Sequence, residues 1–158
     1  MQKLNFKDYA FRFKNTDQKI TVFDEIRKKF VVLTPEEWVR QHVVQFLINE
    51  KKYPKSLVNV EKLLTINGLT KRYDAVVFNN DGSIFILVEC KAPHIKITQN
   101  VFDQIARYNM TMQSNFLMVT NGLDHYFCQM DYTNEKYLFL KDLPDYTIPA
   151  KWKSLSLF

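Results

Sequence analysis

Two dipeptides restrict the fold most: Asn67-Gly68 and Asp81-Gly82, each set between runs rich in β-branched and aromatic residues. Tight hairpin turns need backbone with positive φ, which Gly, Asn and Asp tolerate and most residues resist. Glycine occurs only 3 times in 158 residues, so each placement carries weight. The pattern predicts strands near 57–66, 72–79 and 83–91, joined as an antiparallel meander.

Helices flank the meander. Thr34-Pro35-Glu36-Glu37 sets an N-cap residue before a proline at the first helical position and a glutamate at the third, predicting a helix over about 35–50. Apolar residues at helical spacing through Ile97, Val101, Ile105 and Met112 predict a second helix over 97–112. Strands follow at 116–122, 125–132 and 137–140. Before the first helix, residues 9–24 read as a β-hairpin turning around Asn15 to Gln18. After the last strand, 141–158 reads as a tail packed on the surface, carrying two prolines and a Lys-Trp-Lys. The expected organisation is an N-terminal β-hairpin extension (1–33), a core (34–140) and the tail (141–158).

Composition excludes several classes. Apolar residues make up 46% of the chain, ample for a packed core, yet no run approaches 18 consecutive apolar residues. Without a hydrophobic leader at the N-terminus, the expected setting is soluble and cytoplasmic, away from membrane. Cys90 and Cys128 form no C-x-x-C and have no histidine cluster beside them, which argues against a structural zinc site or a disulfide framework. The 22 Lys and Arg exceed the 17 Asp and Glu by 5, a balance that favours polyanionic partners.

The chemistry concentrates where the meander ends. If Asp81-Gly82 is a two-residue loop, Asn80 pairs with Ser83 and Asp74 falls opposite Glu89. Directly opposed side chains lie roughly 4.5–5.5 Å apart at Cβ, so two like charges would repel unless something positive intervenes. Lys91, two residues beyond Glu89, shares its face, while Cys90 points into the core. Two hard carboxylates suit Mg²⁺ or Mn²⁺, with Lys91 placed to act on an attacking water. The plainer alternative is a strand-end salt bridge between Glu89 and Lys91, with Asp74 balanced by Lys71 and Arg72. Counting back from Asn67-Gly68 sets Glu61 opposite Asp74 as an extra acid.

Each helix adds candidates. Glu36 falls on the inward arc of Val39, Val43 and Leu47 and calls for a partner, either Arg40 one turn on or the metal cluster. Glu37 is explained as the capping-box residue. Gln104 and Tyr108 share the face of Ile97 and Val101, where a buried amide would hold a catalytic group or phosphate, or be satisfied by backbone. Asp103 and Arg107 read as an exposed pair.

Asp74, then Glu89-x-Lys91 at the end of the next strand, after a Glu-bearing helix and before another helix, resembles the PD-(D/E)xK nuclease superfamily. More narrowly, TPEEWVRQ, KRYDAVVF, LVECKAP and FDQIARYNM resemble the amino-terminal nuclease domain of type I restriction enzyme R subunits, in a stand-alone form, over roughly 30–140. The resemblance implies an α/β (α+β), restriction-endonuclease-like core with a mixed central sheet. It implies a metal-dependent endonuclease acting on DNA in restriction, defence or repair. Asp74, Glu89 and Glu36 would bind the metal, with Glu37 the alternative to Glu36, and Lys91 would act on the water. Gln104 and Tyr108 match a Q-x-x-x-Y element that lies beside metal and DNA in recombination helicase-nucleases.

The chain departs from that pattern by having Arg72-Tyr73 before Asp74, where the family's nominal Pro would stand. It also lacks a G-x-x-x-x-G-K-[ST] loop and room for a helicase motor, so it is expected to act alone, as a homodimer or on a protein partner. A catalytically silent nucleic-acid-binding or assembly module with the same fold is the alternative. Arg27, Lys28, Lys29, Lys51, Lys52, Lys55, Lys71, Arg72 and Lys96 would line a phosphate groove or form solvated faces. His42, His94 and His125 are dispersed, His94 reading as a loop residue, and Trp38 and Phe46 read as core.

Overall fold

The computed structural model describes residues 1–147. The Lys-Trp-Lys and the rest of the expected tail from residue 148 lie outside the described residues. Strands β1 (Phe13–Thr16), β2 (Lys19–Asp24) and β3 (Lys29–Val32) form an antiparallel sheet, so the expected hairpin is extended by a third strand. Asp24 makes that extension: its carboxylate accepts from the backbone N–H groups of Ile26 and Arg27 at 2.9 and 2.7 Å, closing the turn into β3.

Helix α1 (Pro35–Gln45) starts where expected, with the Thr34 hydroxyl accepting from the Glu37 N–H at 3.0 Å. Such a cap is worth about 1 kcal/mol. The helix widens into a π-type turn over Phe46–Glu50. Strands β4 (Val58–Ile66), β5 (Leu69–Phe78) and β6 (Ile84–Cys90) form the meander. Helix α2 (Gln99–Asn109) carries the chain to β7 (Phe116–Thr120), which runs parallel to β6, and β8 (His125–Asp131) and β9 (Lys136–Leu140) complete an otherwise antiparallel six-stranded sheet in sequence order. The mixed α+β architecture is the one the sequence predicts.

The first turn is the expected one: Asn67 and Gly68 both have positive φ, 52° and 78°, and Ile66 pairs with Leu69. The second differs. Asn79 donates to the Ser83 carbonyl at 2.8 Å, so three residues, not two, form the loop. Phe85 is the extra residue of a bulge that shifts the register between Val77 and Phe78. Loop and bulge compensate, and Ala75 pairs with Val88 as the two-residue turn would have had it.

Each helix covers one face of the large sheet. Val39, Val43 and Leu47 of α1 pack with Ala75, Val77, Ile86, Val88 and Cys90, while Phe102 and Ala106 of α2 pack with Val76, Leu87, Leu117 and Val119. The inward face of α2 is therefore set by Phe102 and Ala106, one position on from the expected Val101 and Ile105. Residues 141–147 pack on the core through buried Leu143, and the Tyr53 hydroxyl donates to the Pro144 carbonyl at 2.7 Å. Among the described residues no helix is long and apolar enough to cross a membrane.

Candidate active site

The site begins with a break in the pleat. Lys62 pairs with Tyr73 and Val60 with Ala75, so Glu61 and Asp74 face one another by count, but the ladder skips them. Glu61 has φ of 54°, a left-handed conformation costly for a residue with a Cβ. Across the break the sides exchange: Tyr73 joins the α2 core, whereas Ala75 joins the α1 core.

Asp74 is therefore directed to α1. Its Oδ1 accepts from Arg40 Nη2 at 2.6 Å and its Oδ2 from the Cys90 N–H at 2.7 Å. Glu89 goes the other way, its carboxylate paired with the Lys71 ammonium. That ammonium lies 5.0 Å from the Tyr73 ring centroid and 4.7 Å from that of Tyr108 on α2. The expectation that Asp74 and Glu89 share a face needs correction. Opposed residues share a face only where the pleat is regular, and here it is not. The two acids still repel: Glu89's carboxyl stands above its ordinary range, chiefly through burial, with Lys71 countering and Asp74 adding to the rise.

Arg40 is the centre of the cluster. Beyond Asp74 it contacts Glu61 at 2.8 Å, Glu36 at 3.5 Å and, closely, Glu37. The sequence singled out Arg40 only as a partner for Glu36. Glu37 is not the reciprocal capping-box residue; it is buried, one carboxylate oxygen taking Arg27 and the other Arg40. Glu36 is half exposed, and its carboxyl is raised by burial and by Asp74, while Arg40 and Lys91 act against the rise. The Lys91 ammonium has no hydrogen bond or ion pair among the described residues, yet its charge acts on both Glu36 and Glu89. Asp74, Glu36 and Glu61 thus gather around Arg40, Glu89 turns to Lys71 on the other side, and the Lys91 charge acts on both Glu36 and Glu89. The salt bridge that Glu89 makes is with Lys71, not the Lys91 of the plainer alternative.

Gln104 is exposed, not buried, because it lies opposite the Phe102–Ala106 face. With Tyr108, Arg107, Thr111 and the Asn67-Gly68 turn it lines a shallow cavity of about 600 Å³. Asp103, expected to pair with Arg107, instead accepts from Gln99 at 2.9 Å and from the Tyr137 hydroxyl. The expected basic groove is depleted: Arg27 is held by Asp24 and Glu37, Lys51 by Asp142 at 2.5 Å, and Lys55 by Glu25 at 2.9 Å. Lys28, Lys29, Lys52, Arg72 and Lys96 remain exposed. His94 is an exposed loop residue, and His42 is buried among Phe6, Tyr9, Phe11 and Trp38.

The donor set suits a hard divalent ion. Mg²⁺ keeps several waters and uses one or two carboxylates, and the carboxyls of Glu36 and Glu89 are both raised, in each case chiefly by burial and further by Asp74. Arg40 and Lys71 already hold oxygens of Asp74 and Glu89, and among the described residues no three His, Cys, Asp or Glu side chains converge as a preformed ligand group.

A mixed sheet with a helix on each face, carrying Asp74 within its second strand and Glu89 near the end of its third, with Lys71 and Lys91 close to Glu89, defines the class of fold and site. Within that class, residues 35–144 match the family described as type I restriction enzyme R protein N terminus (HSDR_N), and the chain belongs to that family. This is the family its sequence blocks resemble. Among solved structures the chain is similar to a fragment of a candidate HsdR subunit of a type I restriction enzyme from Vibrio vulnificus YJ016, at 20% identity and a TM-score of 0.48. That match takes in 72% of this chain and 24% of the other, so the chain spans about a quarter of that fragment. It is also similar to a candidate nuclease belonging to DUF820 from Anabaena variabilis ATCC 29413, at 13% identity and a TM-score of 0.44, over 87% of this chain and 80% of that one. No curated protein matches the chain significantly.

Proposed function

We propose that the protein is a metal-dependent nuclease that hydrolyses DNA phosphodiester bonds in the cytoplasm, in restriction, defence or repair. The observation that supports this reading is that Asp74 and Lys91, the latter without an ion pair among the described residues, both act electrostatically on Glu36 and on Glu89, in a chain of the restriction-enzyme N-terminal family. Residues 34–140 form the catalytic core, with 1–33 and 141–158 as additions to it.

Mg²⁺ or Mn²⁺ would be held by Asp74 and Glu89, with Glu36 as a third carboxylate, and would supply Lewis-acid polarisation of the scissile phosphate. The rest falls to the chain. The Cys90 N–H and Arg40 orient Asp74 from two directions. Lys91, its ammonium uncommitted among the described residues, orients the attacking water and stabilises charge that develops on the phosphate. Lys71 counters the rise that burial imposes on the Glu89 carboxyl. Gln104, Tyr108 and Arg107 offer donors to the DNA backbone, contacts that position a strand without reading its bases. Specificity then comes from a second copy of the chain or from a partner protein.

A second reading has its own observation. Arg40 and Lys71 neutralise the acids without a metal, as would suit a silent DNA-binding or assembly module. Supercoiled plasmid incubated with the protein and Mg²⁺ or Mn²⁺ decides. Nicking or linearisation is expected, reduced on the order of 10²-fold or more in Lys91→Ala and absent in Asp74→Asn and in EDTA. Retention of DNA without cleavage by wild type in either metal would favour the silent module.

A further inference from the structure

The chain of charged side chains that reaches Asp74 starts outside the segment matched to the family. Asp24, at the end of β2 and wholly buried, accepts from Arg27 Nε at 2.9 Å and from Gln41 Nε2 of α1 at 2.8 Å. Arg27, so fixed, donates to Glu37 Oε1, and Arg40 donates to the other oxygen, Oε2. Arg40 then donates to Asp74 Oδ1 at 2.6 Å, and Asp74 Oδ2 takes the Cys90 N–H at 2.7 Å. Glu37, Arg40 and Asp74 are each at least nine-tenths buried, where an unpaired charge is costly and a fully paired one has little freedom to move.

We propose that Arg27 is a positioning residue of the site: through Glu37 and Arg40 it fixes where Asp74 presents its carboxylate, making the N-terminal sheet a working part of the catalytic core. This rests on the nuclease reading for its purpose but not for its test. Glu37 stands between two guanidinium groups and cannot satisfy both unless each is held from its far side. Arg40 is held there by Asp74 and Glu61, and Arg27 by Asp24. Without Arg27, Glu37 has Arg40 as its one partner and draws it toward itself, away from Asp74. A mutation in the turn between β2 and β3 then reaches Asp74 on β5 without touching DNA or metal.

The Cys90 amide reports on this directly, since Asp74 is its acceptor. Hydrogen exchange followed by NMR on metal-free protein should show the Cys90 amide of Arg27→Met exchanging roughly tenfold faster than in wild type, relative to the amide of Val88 in the same strand. Arg27→Lys should return it most of the way, because a charge remains between Asp24 and Glu37. If Arg27→Met does not fold, Glu37→Gln should give the same local acceleration. Cys90 exchange that is unchanged, or that rises only in step with Val88, overturns the proposal whether or not the protein cuts DNA. If wild type does cut, Arg27→Met should lower kcat about tenfold or more while leaving KM for DNA unchanged; the reverse split would also overturn it. A wild type that cuts nothing while the exchange effect holds would sink the nuclease reading and leave the relay standing.

Discussion

The two acids of the site are held by cations of different kinds, and the contrast shows how one end of a sheet divides its labour. At the α1 side, Asp74 is locked by a buried guanidinium with four carboxylates around it and by a backbone N–H. At the α2 side, Glu89 is held by one lysine lying between two tyrosine rings at the cavity edge. A planar fork with several partners resists displacement, whereas a flexible ammonium moves readily. The Arg40 centre is the more rigidly held of the two, and the Lys71–Glu89 pair the more readily displaced.

Breaking the Arg40 centre should have the largest effect. Arg40→Met leaves Asp74, Glu61 and Glu37 without their shared cation and should cost about 3–5 kcal/mol in urea unfolding. A loss under about 1 kcal/mol would mean that the cluster relaxes into solvent and the contrast with Lys71 is false. Lys71→Met should cost about 1–2 kcal/mol, because one half-exposed partner is lost.

The two sides should also respond to pH with opposite sign. Glu89's carboxyl lies above its ordinary 4.5, so the folded state holds that proton more tightly than the unfolded state. Metal-free stability should therefore fall as pH rises from about 4.5 through Glu89's folded pKa, and Lys71→Met should carry that decline to higher pH. Asp24, at the root of the Arg27–Glu37–Arg40 chain, behaves conversely. Burial alone would raise its carboxyl, but the Arg27 N–H, the Gln41 amide and the Arg27 charge together bring it below the ordinary 3.8. Its contribution is present above 3.8 and lost as pH falls through the lowered value. Acid titration of Glu89→Gln against Asp24→Asn should remove one slope each. Gln104→Ala should change least, within about 0.5 kcal/mol in stability, because its side chain is exposed. Its effect should appear as a raised KM for DNA.

The strands, the N-terminus of α1 and the meander's register were legible because their signals are local. Asn67-Gly68 specifies its turn, Thr34 caps α1, and counting from the turns sets Asp74 and Glu89 on neighbouring strands. The loop holding Asp81-Gly82 is one residue longer than the dipeptide predicts, and the bulge at Phe85 restores the register, since the apolar alternation of Ile86 and Val88 decides the pairing whatever the turn does. Helix α2 was misphased because Val101 and Phe102 are both apolar; the depth of Phe102 in the core, where it packs with Leu117 and Val119, settles which one faces the sheet.

By itself, then, the sequence determined that two carboxylates and a lysine would lie on or just beyond adjacent strands of a meander behind a capped helix, because turns, caps and periodicity act over a few residues. Only the tertiary structure decided which cation serves which acid. Arg40 was assigned to Glu36 and reaches Asp74, Glu89 belongs to Lys71 and not Lys91, and Arg27 turns inward to Glu37. Long charged side chains choose among partners that lie close only after folding, and the break in the pleat between Tyr73 and Ala75, opposite a left-handed Glu61, leaves no local signature in the residues around it.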